Sequence, residues 1–170
     1  MEHTNGNSRL AIRVTLIAEV YPTEDVRRVL QAMNTIIPFS EEIDDVDIEE
    51  EERRKLIKVR KEGYEALIKL RSAFRNNRIL DTARSLLMTR RGHLRALRFH
   101  KQAAYVGKVR LCDEDEMSPL GVISLIIDYE GDTQTLADWL TPKTERGRPV
   151  REATTHELLY GRPSTSEING

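Results

Sequence analysis

Cysteine is almost absent from this chain of 170 residues, Cys112 being the single one. No intramolecular disulfide can form, and a cysteine-based zinc site lacks its partners. Large aromatics are few as well, with one Trp and three Phe beside a charged share of 32%, a balance that predicts a highly charged surface around a modest core. No stretch approaches the ~18 consecutive apolar residues of a membrane span, and the opening "MEHTNGNSRL" has neither the basic nor the apolar segment of a secretory leader. These absences predict a reducing, cytoplasmic setting without a membrane partner.

The signatures of catalysis are missing too. There is no Gly-rich phosphate loop, no dinucleotide fingerprint, no Gly-x-Ser-x-Gly elbow and no suggestive grouping of Ser, His and Asp. "HELLY" (His156–Tyr160) opens like a zinc-protease helix but has Tyr160 where the second histidine must stand. His93 and His100 lie seven apart with no acid nearby, and Asp81 with Arg84 reads as a local ion pair. The expectation is a protein without catalytic residues, metal or cofactor, and not an enzyme.

What is present is charge, and it is segregated. Counting Lys and Arg against Asp and Glu, residues 1–52 hold 4 and 13, residues 53–110 hold 18 and 3, and residues 111–170 hold 5 and 12. The net of −1 therefore conceals an acidic start, a strongly basic middle and an acidic end, and such local fields govern partners more than the total does.

Hydrophobic periodicity predicts the elements. "LAIRVTLIAEV" (Leu10–Val20) alternates as a strand. Thr23 is placed to cap a helix with Glu24 and Asp25 in its first turn and Val26, Val29, Leu30 and Met33 as its apolar stripe. Nine acids among residues 41–52, interrupted by Ile43, Val46 and Ile48, predict a solvated edge strand that resists strand-to-strand aggregation. "KLIKVR" (Lys55–Arg60) reads as a strand, with a continuous helix from Glu49 to Phe74 as the alternative. Two helices follow, one with Leu67, Leu70 and Phe74 inward, the next with Ile79, Ala83, Leu86 and Leu87 inward. "HLRALRF", the segment "HKQAAYVGKVRL" (His100–Leu111) and "GVISLIIDY" supply the remaining strands, with a short helical turn on Ala103 and Ala104 and a reversal at Gly107. "TQTLADWLTP" closes as a helix before Pro142.

The predicted fold is α+β: a curved mixed β-sheet with helices mainly on one face, in the order strand-helix-strand-strand-helix-helix-strand-strand-strand-helix. It spans residues 1–142, and residues 143–170 read as a polar, mobile C-terminal tail.

The most informative span is Thr82–Cys112, which holds eight Lys and Arg in 31 residues and no acid. Phosphate oxygens accept charge-assisted hydrogen bonds from such side chains, and each neutralised phosphate releases counterions. The expected RNA-contacting face comprises Arg71, Arg75 and Arg78, near-aligned on one helix, with Arg84, Arg91, Lys101, Lys108 and Arg110, while Gln102 and Tyr105 reach bases or sugars. The competing expectation is that these cations face the acids of residues 41–52 and 113–116, within one chain or across a homodimer that acts as a protein-interaction scaffold.

The ordered segments "YPTEDVRRV", "NRILDTARSLL", "FHKQAAYVGKV", "SPLGVISLII" and "LADWLTP" resemble an archaeal family of uncharacterised function that carries predicted RNA-binding or exosome-associated labels. The likeness covers roughly residues 10–142, and Lys101–Ala104, Gly107 and Pro119–Gly121 are its most specific part. The resemblance implies a fold like that of the large-subunit ribosomal protein that holds five-S RNA, a role in RNA binding, and a homodimer.

Overall fold

Residues 8–88, 94–112 and 120–163 are described by a computed structural model. Strand β1 (Ile12–Val20) buries every second residue from Ile12 to Val20 and exposes Arg13, the half-buried pattern its alternation predicts. Helix α1 (Val26–Ile36) follows. Its cap is Asp25 rather than Thr23, the carboxylate accepting from the Arg27 N–H at 3.0 Å, which leaves Glu24 free to turn inward. The acidic run becomes the edge strand β2 (Asp45–Glu50), and β3 (Lys55–Glu62) returns beside it. The alternative of one helix across 49–74 therefore falls, because Ile57 and Val59 are buried on one side of a strand between Lys58 and Arg60.

A 3-10 turn at Tyr64–Leu67 leads into α2 (Ile68–Asn76), then α3 (Leu80–Met88), β4 (Leu94–His100), α4 (Lys101–Tyr105), β5 (Val122–Tyr129) and α5 (Thr133–Leu140). The five long strands form one sheet in the order β2-β3-β1-β5-β4. The α+β class is as expected, but all four pairings are antiparallel, whereas a mixed sheet was predicted. The element order departs at one place. Between β4 and β5 the chain makes the turn of α4 and a reversal at Gly107, whose φ of 78° suits glycine, and then only a single bridge from Leu111 to Phe99 instead of a full strand.

The inward residues of β1, β3, β4 and β5 meet α1, α2, α3 and α5 in one core, in which Leu16, Ile57, Phe99, Leu125, Met33, Leu70, Phe74, Leu87 and Trp139 are almost wholly buried. Phe74 and Phe99 stack with ring centroids 6.4 Å apart. The other sheet face carries Ile17, Leu56, Val122 and Ile126, half-exposed and outside that core.

Residues 143–163 correct the expected mobile tail. They form a two-stranded hairpin, β6 (Thr144–Glu145) and β7 (Arg148–Pro149), and a helix α6 (Thr155–Tyr160) with a Thr154/Glu157 capping box. Leu158 is fully buried. The Leu10 N–H donates to the Leu159 carbonyl at 2.7 Å, and the Tyr129 hydroxyl donates to the Leu158 carbonyl at 2.5 Å. Few apolar residues lie in this segment, but the ones present close over Trp139, whose Nε1–H donates to Thr155 Oγ1 at 3.2 Å. Residues 164–170 of the expected tail lie outside the described residues.

Candidate nucleic-acid interface

The structure divides the predicted face into cations spent inside the fold and cations left at its surface. Arg71 and Arg75 stand one turn apart on α2 and converge on Glu152, Arg71 at 2.7 Å. Arg71 also donates to the Trp139 carbonyl at 2.8 Å and lies over the Trp139 ring, 5.1 Å from its centroid. Burial first, and the neighbouring Arg75 second, lower its pKa below that of a free guanidinium. Arg84 does not pair with Asp81. It meets Asp138 at 2.8 Å and the Thr141 carbonyl at 3.1 Å, and Arg162 grips the other oxygen of Asp138 at 2.7 Å.

Lys101 is the sharpest correction. Its side chain is 0% exposed, and its ammonium donates to the carbonyls of Glu19 at 2.6 Å and Leu120 at 2.5 Å and to Glu24 Oε1 at 3.0 Å. All three donors are used, so it ties the end of β1, the approach to β5 and the start of α1 together and reaches no phosphate. The Tyr105 hydroxyl donates to the other oxygen of Glu24, and Arg28 lies 5.3 Å from the Tyr105 ring centroid. Burial and that hydrogen bond push the Tyr105 hydroxyl pKa well up, so Tyr105 is a clamp rather than a base-stacking platform.

Arg78, Gln102, Lys108 and Arg110 are exposed. Arg78, Lys108 and Arg110 make no ion pair with any described residue, and neither does the half-exposed Arg98. Arg91 lies outside the described residues. The predicted face thus comes together only in part.

The competing expectation also changes. The acids of residues 44–51 pair with the cations just beyond them, Arg54 with Glu51 at 2.8 Å, Lys61 with Asp44 at 3.5 Å and Arg60 with Asp45 at 3.6 Å, and with none of the described cations of the basic span after Thr82. The exposed pair Arg60–Asp45 contributes ~1 kcal/mol or less. The acids at 113–116 lie outside the described residues.

Spacing alone passed over Glu24, Asp138 and Glu152, the three carboxylates that absorb four of the eight predicted cations, Arg71, Arg75, Arg84 and Lys101. A signal existed for Asp138, an acid flanked by Leu136, Ala137, Trp139 and Leu140 on a helix, because a carboxylate on an apolar face needs a buried partner. Among the described residues no group of three His, Cys, Asp or Glu side chains is placed to hold a metal, and no helix is long and apolar enough to cross a membrane.

Comparison with known proteins supplies the family. A model described as RNA binding matches residues 13–129. The UPF0201 protein SSO1042 of Saccharolobus solfataricus is 36% identical over 140 residues, covering 82% of this chain and 93% of its own. A UPF0201 protein of Sulfolobus acidocaldarius is 38% identical over 141 residues, covering 82% and 94%. The crystal structure of the UPF0201 protein from Methanococcus jannaschii superposes with a TM-score of 0.67 at 25% identity, over 82% of this chain and 99% of that one. The match of fold, length and sequence places the chain in this archaeal UPF0201 family, whose members include uncharacterised proteins and whose model is described as RNA binding.

Proposed function

We propose that this protein is a non-enzymatic RNA-binding protein that holds the phosphate backbone through Arg78, Arg98, Lys108 and Arg110, with exposed Gln102 as a further polar contact. The observation that carries the reading is the RNA-binding family model, which spans residues 13–129 and so includes all five side chains. The four cations are among those of the basic middle that pair with no described carboxylate, whereas Arg71, Arg75, Arg84 and Lys101 each meet one. A counterion-release slope of about −0.7 per contact on single strands gives about −2.8 for four contacts. Anisotropy of labelled RNAs should accordingly show affinity falling about fifty-fold between 50 and 200 mM salt. A panel of RNAs that leaves the protein unbound at ~50 mM salt sinks the proposal.

The sheet face opposite the core favours a second reading, a homodimer. Ile17, Leu56, Val122 and Ile126 form its apolar centre, outside the core contacts. A two-fold axis along the strands would lay the acidic β2 edge of one copy over the basic β4 edge of the other. Sedimentation equilibrium tests it: the wild-type mass is twice 19.6 kDa, and Ile17→Glu/Ile126→Glu returns it to the monomer. A monomeric wild type removes this reading and leaves RNA binding untouched.

A further inference from the structure

We infer that the cleft between the α2–α3 elbow and the β6–β7 hairpin is a phosphate-binding site, and that it makes the C-terminal segment part of the RNA interface. The inference rests on the RNA-binding reading for its ligand, a backbone phosphate of the bound strand. The cleft is about 400 Å³ and is lined by four arginines, Arg75, Arg78, Arg146 and Arg148, with Asp81 and Thr144 at its wall. Volumes of a few hundred cubic ångströms are those of small-ligand sites.

Two of the four arginines stand where an L side chain is disfavoured. The end of α2 is a Schellman turn, in which the Ile79 N–H reaches the Phe74 carbonyl at 3.1 Å and the Arg78 N–H reaches the Arg75 carbonyl at 3.3 Å. The residue after the cap is Arg78, with φ of 56°, in the position that glycine usually fills. The β6–β7 turn has Arg146 at φ 52° followed by Gly147 at φ 77°, a two-residue hairpin turn whose first position favours Asn, Asp or Gly. Each left-handed arginine is held at a conformational cost, and both guanidinium groups line the same cleft.

The charges in the cleft are short of carboxylate. Asp81 accepts from Thr144 Oγ1, its two oxygens at 2.8 and 3.0 Å. Glu152 is shared by Arg71 and Arg75, and Glu145 lies opposite Arg148 in the hairpin register. Arg78, Arg146 and Arg148 have no ion pair among the described residues, and the Nε of Arg75 is buried without a hydrogen-bond partner. Four guanidinium groups around one cleft repel each other, and an anion with several acceptor oxygens relieves that repulsion while satisfying the forked donors.

The test is anisotropy of labelled single-stranded RNA as a function of salt, with Arg146→Gln/Arg148→Gln against Lys108→Gln/Arg110→Gln, each checked for native circular dichroism. With the cleft occupied, the wild-type slope steepens to about −4, and the hairpin variant loses about 1.4 of it. Arg78→Gly gives the sharper signature. Glycine relieves the left-handed strain, so Tm rises by about 2–4 °C while RNA affinity falls and the slope drops by about 0.7. An arginine with only a structural role would move neither affinity nor slope. RNA binding that is unchanged in the hairpin variant but weakened in the Lys108/Arg110 variant overturns the cleft and leaves the RNA reading standing. If the wild type binds no RNA at all, the RNA reading fails, and thermal shift with inorganic pyrophosphate decides the cleft separately. A saturable rise in Tm that vanishes in Arg146→Gln/Arg148→Gln retains a site for free phosphate, and no rise overturns it.

Discussion

Lys101→Met lowers the free energy of unfolding by about 3–5 kcal/mol, the range seen when one partner of a buried ion pair is removed and the other is left behind. The residue left behind is Glu24, whose side chain is 4% exposed. Its carboxylate keeps the Tyr105 hydroxyl and the Tyr21 N–H at 3.1 Å but loses the one ion pair it makes among the described residues, while the carbonyls of Glu19 and Leu120 lose their shared donor. Against a typical domain stability of about 5–15 kcal/mol, this is a large fraction. Urea titration measures it as a lowered midpoint with an unchanged slope. Glu24→Gln alone is also destabilising, and Lys101→Met/Glu24→Gln costs less than the sum of the single changes, because the double variant buries no unpaired charge. Two small, additive effects would mean that the pair is not buried in solution. The same variants separate clamp from phosphate grip: with affinity expressed per folded molecule, Lys101→Met binds RNA with the wild-type salt slope, whereas Lys108→Gln/Arg110→Gln does not.

Lys101 also shows where the sequence stops being legible. Strands β1 and β5, helices α2 and α3 and the acidic edge β2 follow from periodicity, because each buries one side against a common core and alternation or a stripe records that side. The antiparallel arrangement is a property of how distant strands meet, and no local pattern encodes it. For the site, the charge count correctly locates a basic middle, but it cannot say which way a cation points. Lys101 and Ala104 share one helical face by their spacing of three, and both are buried, so a trace of the inward direction was present. Nothing local to Arg71 and Arg75 reveals Glu152, 81 and 77 residues further on. Left-handed arginines are equally invisible, since "RGRP" in a polar stretch reads as tail until the hairpin closes around it.

The C-terminal segment gives the other large effect. Ending the chain at Pro142 lowers unfolding free energy by at least about 2–5 kcal/mol, the range for losing a single buried leucine, whereas removing a mobile tail would cost almost nothing. The deleted part includes Leu158, fully buried, and Ala153, 1% exposed, together with the hydrogen bonds from Trp139 Nε1 to Thr155 and from Tyr129 to the Leu158 carbonyl. A spectroscopic readout distinguishes loss of this docking from general loosening. Burial pushes the Tyr129 hydroxyl up to about 12, so in the intact protein it keeps its proton between about pH 10 and pH 12, where an unfolded tyrosine loses it. The folded state binds more protons in that window, and stability therefore falls as pH rises through it. In the shortened chain the tyrosinate absorbance of Tyr129 returns toward the ordinary range, and Tyr129→Phe in the full chain removes that tyrosine's share of the late absorbance while that of Tyr105 remains. The deletion also frees Arg71 and Arg75 from Glu152 while taking away Arg146 and Arg148, so its salt slope for RNA stays near the wild-type value even as its stability drops. Wild-type stability after the deletion would return residues 143–163 to the status of a tail and, with them, dismantle the hairpin wall of the arginine cleft.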